Sequence, residues 1–203
     1  MKPNIFDVAT SELSQDAFLT WLFRWADQEA KSYNEKLHTC AKEFIKLLIN
    51  KKINYNKNIE NVSAGRQWKN IDIWAKINNE VLIVIEDKTS TFEHSDQLNK
   101  YKKFAEDWCK KNNYQLVLIY FETGLEYGGN TKVIENKDYI KIERSELISF
   151  FEKHSEVKND IIEDFIERIN SLETLFKKDL FVNDLYTKML LTSIHNWFGG
   201  TVY

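Results

Sequence analysis

Ile71-Asp72-Ile73-Trp74-Ala75-Lys76-Ile77, then Asn78-Asn79-Glu80, then Val81-Leu82-Ile83-Val84-Ile85-Glu86-Asp87-Lys88: the fold turns on how this one stretch is read. The first piece is rich in β-formers. Residues 81–85 form an unbroken apolar run, which suits a strand buried on both faces. The Asn-Asn pair between them favours a tight hairpin, because Asn tolerates positive φ. Asp72 then stands early on one strand, and Glu86 and Lys88 stand at the end of its partner. Glu86 and Lys88 are two apart and so point to the same face.

Register decides whether Asp72 joins them. A two-residue loop, Asn78 and Asn79, pairs Ile77 with Glu80 and sets Asp72 opposite Ile85, facing away from Glu86. A three-residue loop, Asn78 to Glu80, pairs Ile77 with Val81 and Asp72 with Glu86, so that all three charges share a face. Opposed carboxylates repel, so nothing structural favours the second register. A divalent cation does favour it, because carboxylate oxygens with several waters are the ligands Mg²⁺ prefers. A neighbouring Lys suits phosphate. The plain alternative is an ordinary hairpin whose end charges are solvated.

Asp72, thirteen intervening residues and Glu86-Asp87-Lys88 resemble the core of the PD-(D/E)XK nuclease superfamily, the restriction-endonuclease-like fold. Ile71 stands where that pattern usually has Pro. Gln97 and Tyr101, four apart and so on one helix face, resemble a second hallmark of many members, in which the Gln helps organise the active site. By itself the pair reads as a polar position above a buried Tyr. Ser11-Glu12-Leu13-Ser14 followed by Phe18-Leu19-Thr20-Trp21-Leu22 resembles the opening helix of one branch, and Gly65-Arg66 ahead of the Asp strand resembles the same branch. In several members an acidic residue on that helix reaches the metal; the plain reading of Glu12 is a carboxylate complementing a helix dipole.

The resemblance implies a three-layer α/β/α sandwich with a central mixed β-sheet, plus C-terminal helices. It implies Mg²⁺, with Mn²⁺ able to substitute, held by Asp72, Glu86, the Asp87 backbone carbonyl and Glu12. Lys88 would position or polarise the attacking water, and Gln97 would support Lys88 or that water. The expected activity is phosphodiester hydrolysis, on DNA rather than RNA. Arg66, Lys69, Lys100 and Lys103 are candidate phosphate contacts, and each is equally well placed as a surface charge. The rival expectation is a catalytically inactive nucleic-acid- or protein-binding module on the same fold. Retention of Asp72, Glu86 and Lys88 together argues against that rival.

With 203 residues, one domain is the default, and the chain is long enough to bury a real core. Its 28 Lys+Arg against 31 Asp+Glu leave a net charge of −3, which counts mildly against nucleic-acid binding and favours the rival. Any basic surface must therefore be local. Cys40 and Cys109 have no metal or redox spacing, and unpaired thiols fit a reducing cytosol. No signal peptide opens the chain and no apolar run reaches membrane-spanning length. The expected location is therefore cytoplasmic. A Ser or Cys nucleophile elbow, a zinc-spaced His pair and a phosphate-binding glycine pattern are all absent.

Around the hairpin the sequence predicts helices over residues 11–25, 35–50, 92–111, 145–153 and 157–176. It predicts a first strand over 53–62, a turn-rich lead-in over 63–70, and strands over 114–121 and 139–142. Thr10 and Ser11 are expected caps for the first helix, whose apolar face is Leu13, Ala17, Phe18, Trp21, Leu22 and Trp25. The helix over 92–111 should bury Leu98, Tyr101, Ala105 and Trp108. His94 at its start reads as a surface His more readily than as a general base. Residues 1–178 form the expected nuclease-like domain. Residues 179–203 form the expected C-terminal extension, with a separate helix over 182–198 packed on the domain. A homodimer or partner subunit is compatible with the chain.

Overall fold

The computed structural model describes the backbone of residues 2–9, 12–88, 97–123, 134 and 137–198, with the side chains of these except residues 12, 88, 179–184 and 186–198. In chain order the elements are α1 (Ile5–Val8), α2 (Glu12–Trp25), a 3₁₀ turn (Gln28–Ser32), α3 (Glu35–Asn50), β1 (Val62–Trp68), β2 (Ile71–Ile77) and β3 (Val81–Lys88). There follow α4 (Gln97–Asn112), β4 (Gln115–Glu122), β5 (Ile140–Glu143), α5 (Arg144–Lys153) and α6 (Asp160–Phe198).

The strands form one mixed sheet in the order β1-β2-β3-β4-β5. The β1–β2 and β2–β3 pairs are antiparallel, and the β3–β4 and β4–β5 pairs are parallel. β3 is the central strand, and its apolar run is divided between two cores. Val81, Ile83 and Ile85 pack with residues of α2, α3, α5 and α6, whereas Leu82 and Val84 pack under α4 with Leu98, Ala105 and Cys109. Helices thus cover both faces, and the α/β/α sandwich forms as the resemblance implied. Each fully buried Val, Leu or Ile contributes about 1.5–3 kcal/mol. Five in a row on β3 outweigh the repulsion of two strand-end carboxylates, which is on the order of 1–4 kcal/mol at contact distance.

Two hairpin turns set the registers. Trp68 pairs with Ile71 around Lys69 and Asn70, whose φ values of 55° and 68° are those of a two-residue primed turn. Between β2 and β3, Asn78 and Asn79 also have positive φ, 51° and 54°, yet Ile77 pairs with Val81 and Glu80 belongs to the turn. The odd-length loop is therefore the one adopted. Neighbours on either side hold it there. The Asn78 N–H donates to the Asn61 carbonyl at 2.8 Å, and the Glu80 carbonyl accepts from the Gln115 N–H at 2.7 Å.

Three expectations are corrected. The first strand is Val62–Trp68, inside the stretch read as a lead-in, and residues 53–61 form no strand. There the Asn78 side chain takes the backbone partners: its Oδ1 accepts from the N–H groups of Glu60 and Asn61, and its Nδ2 donates to the Asn58 carbonyl and the Tyr55 hydroxyl. The separate helix over 182–198 does not form, because α6 runs unbroken for 39 residues through the boundary expected after residue 178. No Gly or Pro lies between Phe176 and Val182 to stop it. The buried apolar stripe of α2 is Phe18, Leu19, Leu22 and Phe23, with Leu13 exposed and Trp21 and Trp25 only partly covered. The expected caps at Thr10 and Ser11 lie outside the described residues.

Among the described residues, no helix is long and apolar enough to cross a membrane.

Candidate active site

The site lies where β3 ends. Glu86 follows the parity of Leu82 and Val84 onto the α4 face, and it is almost completely buried. Its Oε1 accepts from Gln97 Nε2 at 2.9 Å, and the same amide nitrogen reaches the Tyr101 hydroxyl at 2.8 Å. Helical spacing places Gln97 and Tyr101 on one side of α4, so the first turn of that helix holds Glu86 from above.

Asp72 sits where β2 changes face. Ile71 packs in the α4 core with the partly covered Trp68, whereas Ile73, Ala75 and Ile77 pack in the opposite core. Gln67, across from Asp72 in β1, has φ 53° and turns that strand at the same level. The odd register carries Asp72 to the level of Glu86, one step beyond the last ladder pair, Ile73 with Ile85. At that step the Asp72 Oδ2 accepts from the Asp87 backbone N–H at 3.1 Å. A half-buried carboxylate thus lies against the backbone of the Glu86–Asp87 step.

The Asp87 side chain points the other way, toward α2, and is 1% exposed. Its Oδ1 accepts from Gln15 Nε2 at 2.5 Å, and Gln15 also bonds the Thr123 hydroxyl at 2.8 Å. The backbone of Lys88 pairs with that of Glu122 in the parallel β3–β4 ladder. The side chains of Lys88 and Glu12, and all of His94, lie outside the described residues. Glu12 begins α2, one helical turn before Gln15.

The candidate phosphate contacts divide. Arg66 donates to the Leu13 carbonyl at 2.8 Å and so ties β1 to α2. Lys69 is exposed in the β1–β2 turn, and Lys100 and Lys103 are exposed on α4. Sequence reasoning missed Gln15 and Thr123; the available signal was the i, i+3 spacing of Gln15 from Glu12. It also missed a charged pair beside the site. Lys141 on β5 pairs with Glu122 and lies 3.3 Å from Glu143. Burial alone would lower the Lys141 pKa, but the two carboxylates outweigh it and raise it, so this lysine stays charged.

The donor set suits a hard cation. Asp72 and Glu86 offer carboxylate oxygens, and the two cysteines are buried in the cores on either side of the sheet, Cys40 on α3 and Cys109 on α4. Among the described residues no group of three or more His, Cys, Asp or Glu side chains gathers to hold a metal unaided. Mg²⁺ does not require one, since it is commonly bound by one or two carboxylates with waters and substrate phosphate.

A family model of the PD-(D/E)XK nuclease superfamily matches residues 3–178, a span that includes Asp72, Glu86, Lys88 and Gln97. No curated protein and no solved structure matches the chain significantly.

Proposed function

The chain belongs to the PD-(D/E)XK nuclease superfamily, and we propose that it hydrolyses phosphodiester bonds in DNA with a divalent cation, Mg²⁺ or Mn²⁺. The observation that carries this reading is the odd hairpin register, which brings the Asp72 carboxylate against the Asp87 N–H beside Glu86.

In this reading Asp72, Glu86 and the Asp87 backbone carbonyl hold the cation, with Glu12 at the start of α2 as a further ligand. When bound, the cation supplies Lewis-acid stabilisation of charge on the scissile phosphate and makes a bound water more acidic. The protein's own contribution is positioning. Gln97 keeps one Glu86 oxygen engaged and so orients the other. Lys88 offsets charge that develops on the phosphoryl oxygens and orients the attacking water. Lys69, Lys100 and Lys103 supply local positive charge on a chain whose net charge is −3. Cys40 and Cys109, both free and buried, fit a reducing compartment such as the cytoplasm.

The test is cleavage of supercoiled plasmid, single-stranded DNA and RNA with Mg²⁺ or Mn²⁺, with EDTA as control and Glu86→Gln as the site variant. Metal-dependent DNA cleavage that Glu86→Gln abolishes is the expected result. Nucleic-acid binding without cleavage under every metal condition would overturn the catalytic reading and leave the binding module.

A further inference from the structure

We propose that Gln15 is a positioning residue for the metal-holding carboxylates, acting through Asp87; the inference rests on the metal-dependent reading above. Asp87 stands between the two motif residues Glu86 and Lys88 and is joined to the site by its backbone: its N–H is the donor that holds Asp72 Oδ2 at 3.1 Å. Its side chain, on the opposite face, is held by Gln15 at 2.5 Å. Any rotation of the Asp87 peptide therefore moves the donor that orients Asp72.

Gln15 is well placed to prevent that rotation. It is 8% exposed, and Thr123, 0% exposed, fixes its amide: the hydroxyl lies 2.8 Å from Nε2 and 3.0 Å from Oε1. The amide nitrogen faces Asp87 and donates to its Oδ1, which leaves Gln15 Oε1 turned toward the Thr123 hydroxyl. Held by Asp87 on one side and by Thr123 on the other, the Gln15 amide has a fixed orientation. The anchor continues into the fold. The Thr123 carbonyl accepts from Arg144 Nη1 at 2.7 Å, and Arg144 Nε donates to Glu173 on α6 at 2.9 Å. α2, the ends of β3 and β4, and α6 are thus joined through Asp87, Gln15, Thr123 and Arg144. Partners that hydrogen-bond the ligands of a metal typically change its affinity by about 10–100-fold when lost.

The competing account is that Gln15 only satisfies a buried carboxylate and pins α2, in which case its loss lowers stability and leaves metal affinity alone. Titration calorimetry with Mn²⁺ on the full chain separates the two, with urea unfolding in EDTA run in parallel. Gln15→Leu should raise the Mn²⁺ dissociation constant about 10–100-fold. Thr123→Val should shift it in the same direction, and Thr123→Ser, which keeps the hydroxyl, should restore the wild-type value. Ile45→Val, in the core on α3, should lower the urea midpoint without moving Mn²⁺ affinity. If Gln15→Leu fails to fold, the Thr123 pair decides. Wild-type Mn²⁺ affinity in Gln15→Leu or Thr123→Val, with Asp72→Asn unable to bind, would overturn the role of Gln15 alone. A wild-type protein that binds no Mn²⁺ would overturn the metal-dependent reading and this inference with it.

Discussion

Gly65→Ala tests the hairpin that carries Asp72. Gly65 lies across from Trp74 in the β1–β2 ladder. A Cβ added there meets Trp74 Cζ2 at 2.6 Å, Cε2 at 2.9 Å and Nε1 at 3.1 Å. Carbon atoms in contact ordinarily stand about 3.5–4.0 Å apart, so the indole must retreat by roughly 1 Å. It is not free to do so cheaply. Its ring meets Trp68 edge-on at 6.0 Å and lies 5.4 Å from the Lys76 ammonium, which is itself 4.6 Å from the Trp108 ring. Overpacking of this kind costs about 1–3 kcal/mol. Replacing Gly returns part of that, about 0.4–1 kcal/mol, by restricting the unfolded chain. The expected net loss is about 1–2 kcal/mol, which at this chain length lowers the melting temperature by roughly 2–8 °C. Urea unfolding of the wild type, Gly65→Ala, Trp74→Phe and the double variant reads it out. Phe lacks Cζ2, the atom nearest the added Cβ, so Gly65→Ala should cost clearly less in the Trp74→Phe background. An equal cost in both backgrounds, or no cost in the wild type, would refute the close approach of β1 and β2 at this point.

Mn²⁺ at a hundredfold excess over its dissociation constant should stabilise the wild type by about 2.7 kcal/mol, and Asp72→Asn should lose most of that gain in urea titrations with and without metal. Lys88→Ala should cut cleavage about 10²–10³-fold, the usual cost of an electrostatic transition-state contact, with unfolding curves unchanged; wild-type turnover would remove Lys88 from the mechanism. Trp108 packs edge-on against Trp68 and Tyr114 but is only partly buried. Trp108→Ala should therefore cost about 2 kcal/mol in denaturant unfolding, below the roughly 3–5 kcal/mol of a fully buried aromatic. Burial pushes the Cys109 thiol up to about 11, and burial with Glu156 and Glu43 pushes Cys40 up to about 12. Native thiols then stay protonated where unfolded ones ionise near 8.5. Their contribution to stability is full below that pH and declines as pH rises toward the native values. Urea midpoints that fall from pH 8 to 10 in the wild type, and less in a Cys40→Ala, Cys109→Ala double variant, are the expected result.

Much of the fold was legible because it depends on local pattern. Residues 81–85 have no polar position to expose, so they had to be a strand covered on both faces, and the two cores confirm it. α3 has the expected bounds, Glu35–Asn50, because its apolar period is regular; the structure adds the cap, Asn34, which accepts from the Leu37 N–H at 3.0 Å. β1 was not legible. Its inward residues Val62 and Ala64 are small, and the Gly65 that admits Trp74 reads as a turn residue when taken alone.

The residue types of the proposed site, two carboxylates and a lysine at strand ends with a glutamine on the next helix, are read from sequence alone. The approach of Asp72 and Gln97 to the Glu86–Asp87 step was decided by tertiary structure. Two-residue and three-residue turns at Asn78-Asn79-Glu80 differ little in local energy, since both use the left-handed conformation that Asn tolerates. The choice came from Asn61 and Gln115, distant in the chain, which bond Asn78 on one side and Glu80 on the other and so commit the turn to three residues. The contact between Asp87 and Gln15, 72 positions apart, has the same origin. It exists because α2 packs across the end of β3; the i, i+3 spacing from Glu12 places Gln15 on one face of α2 but does not encode that crossing.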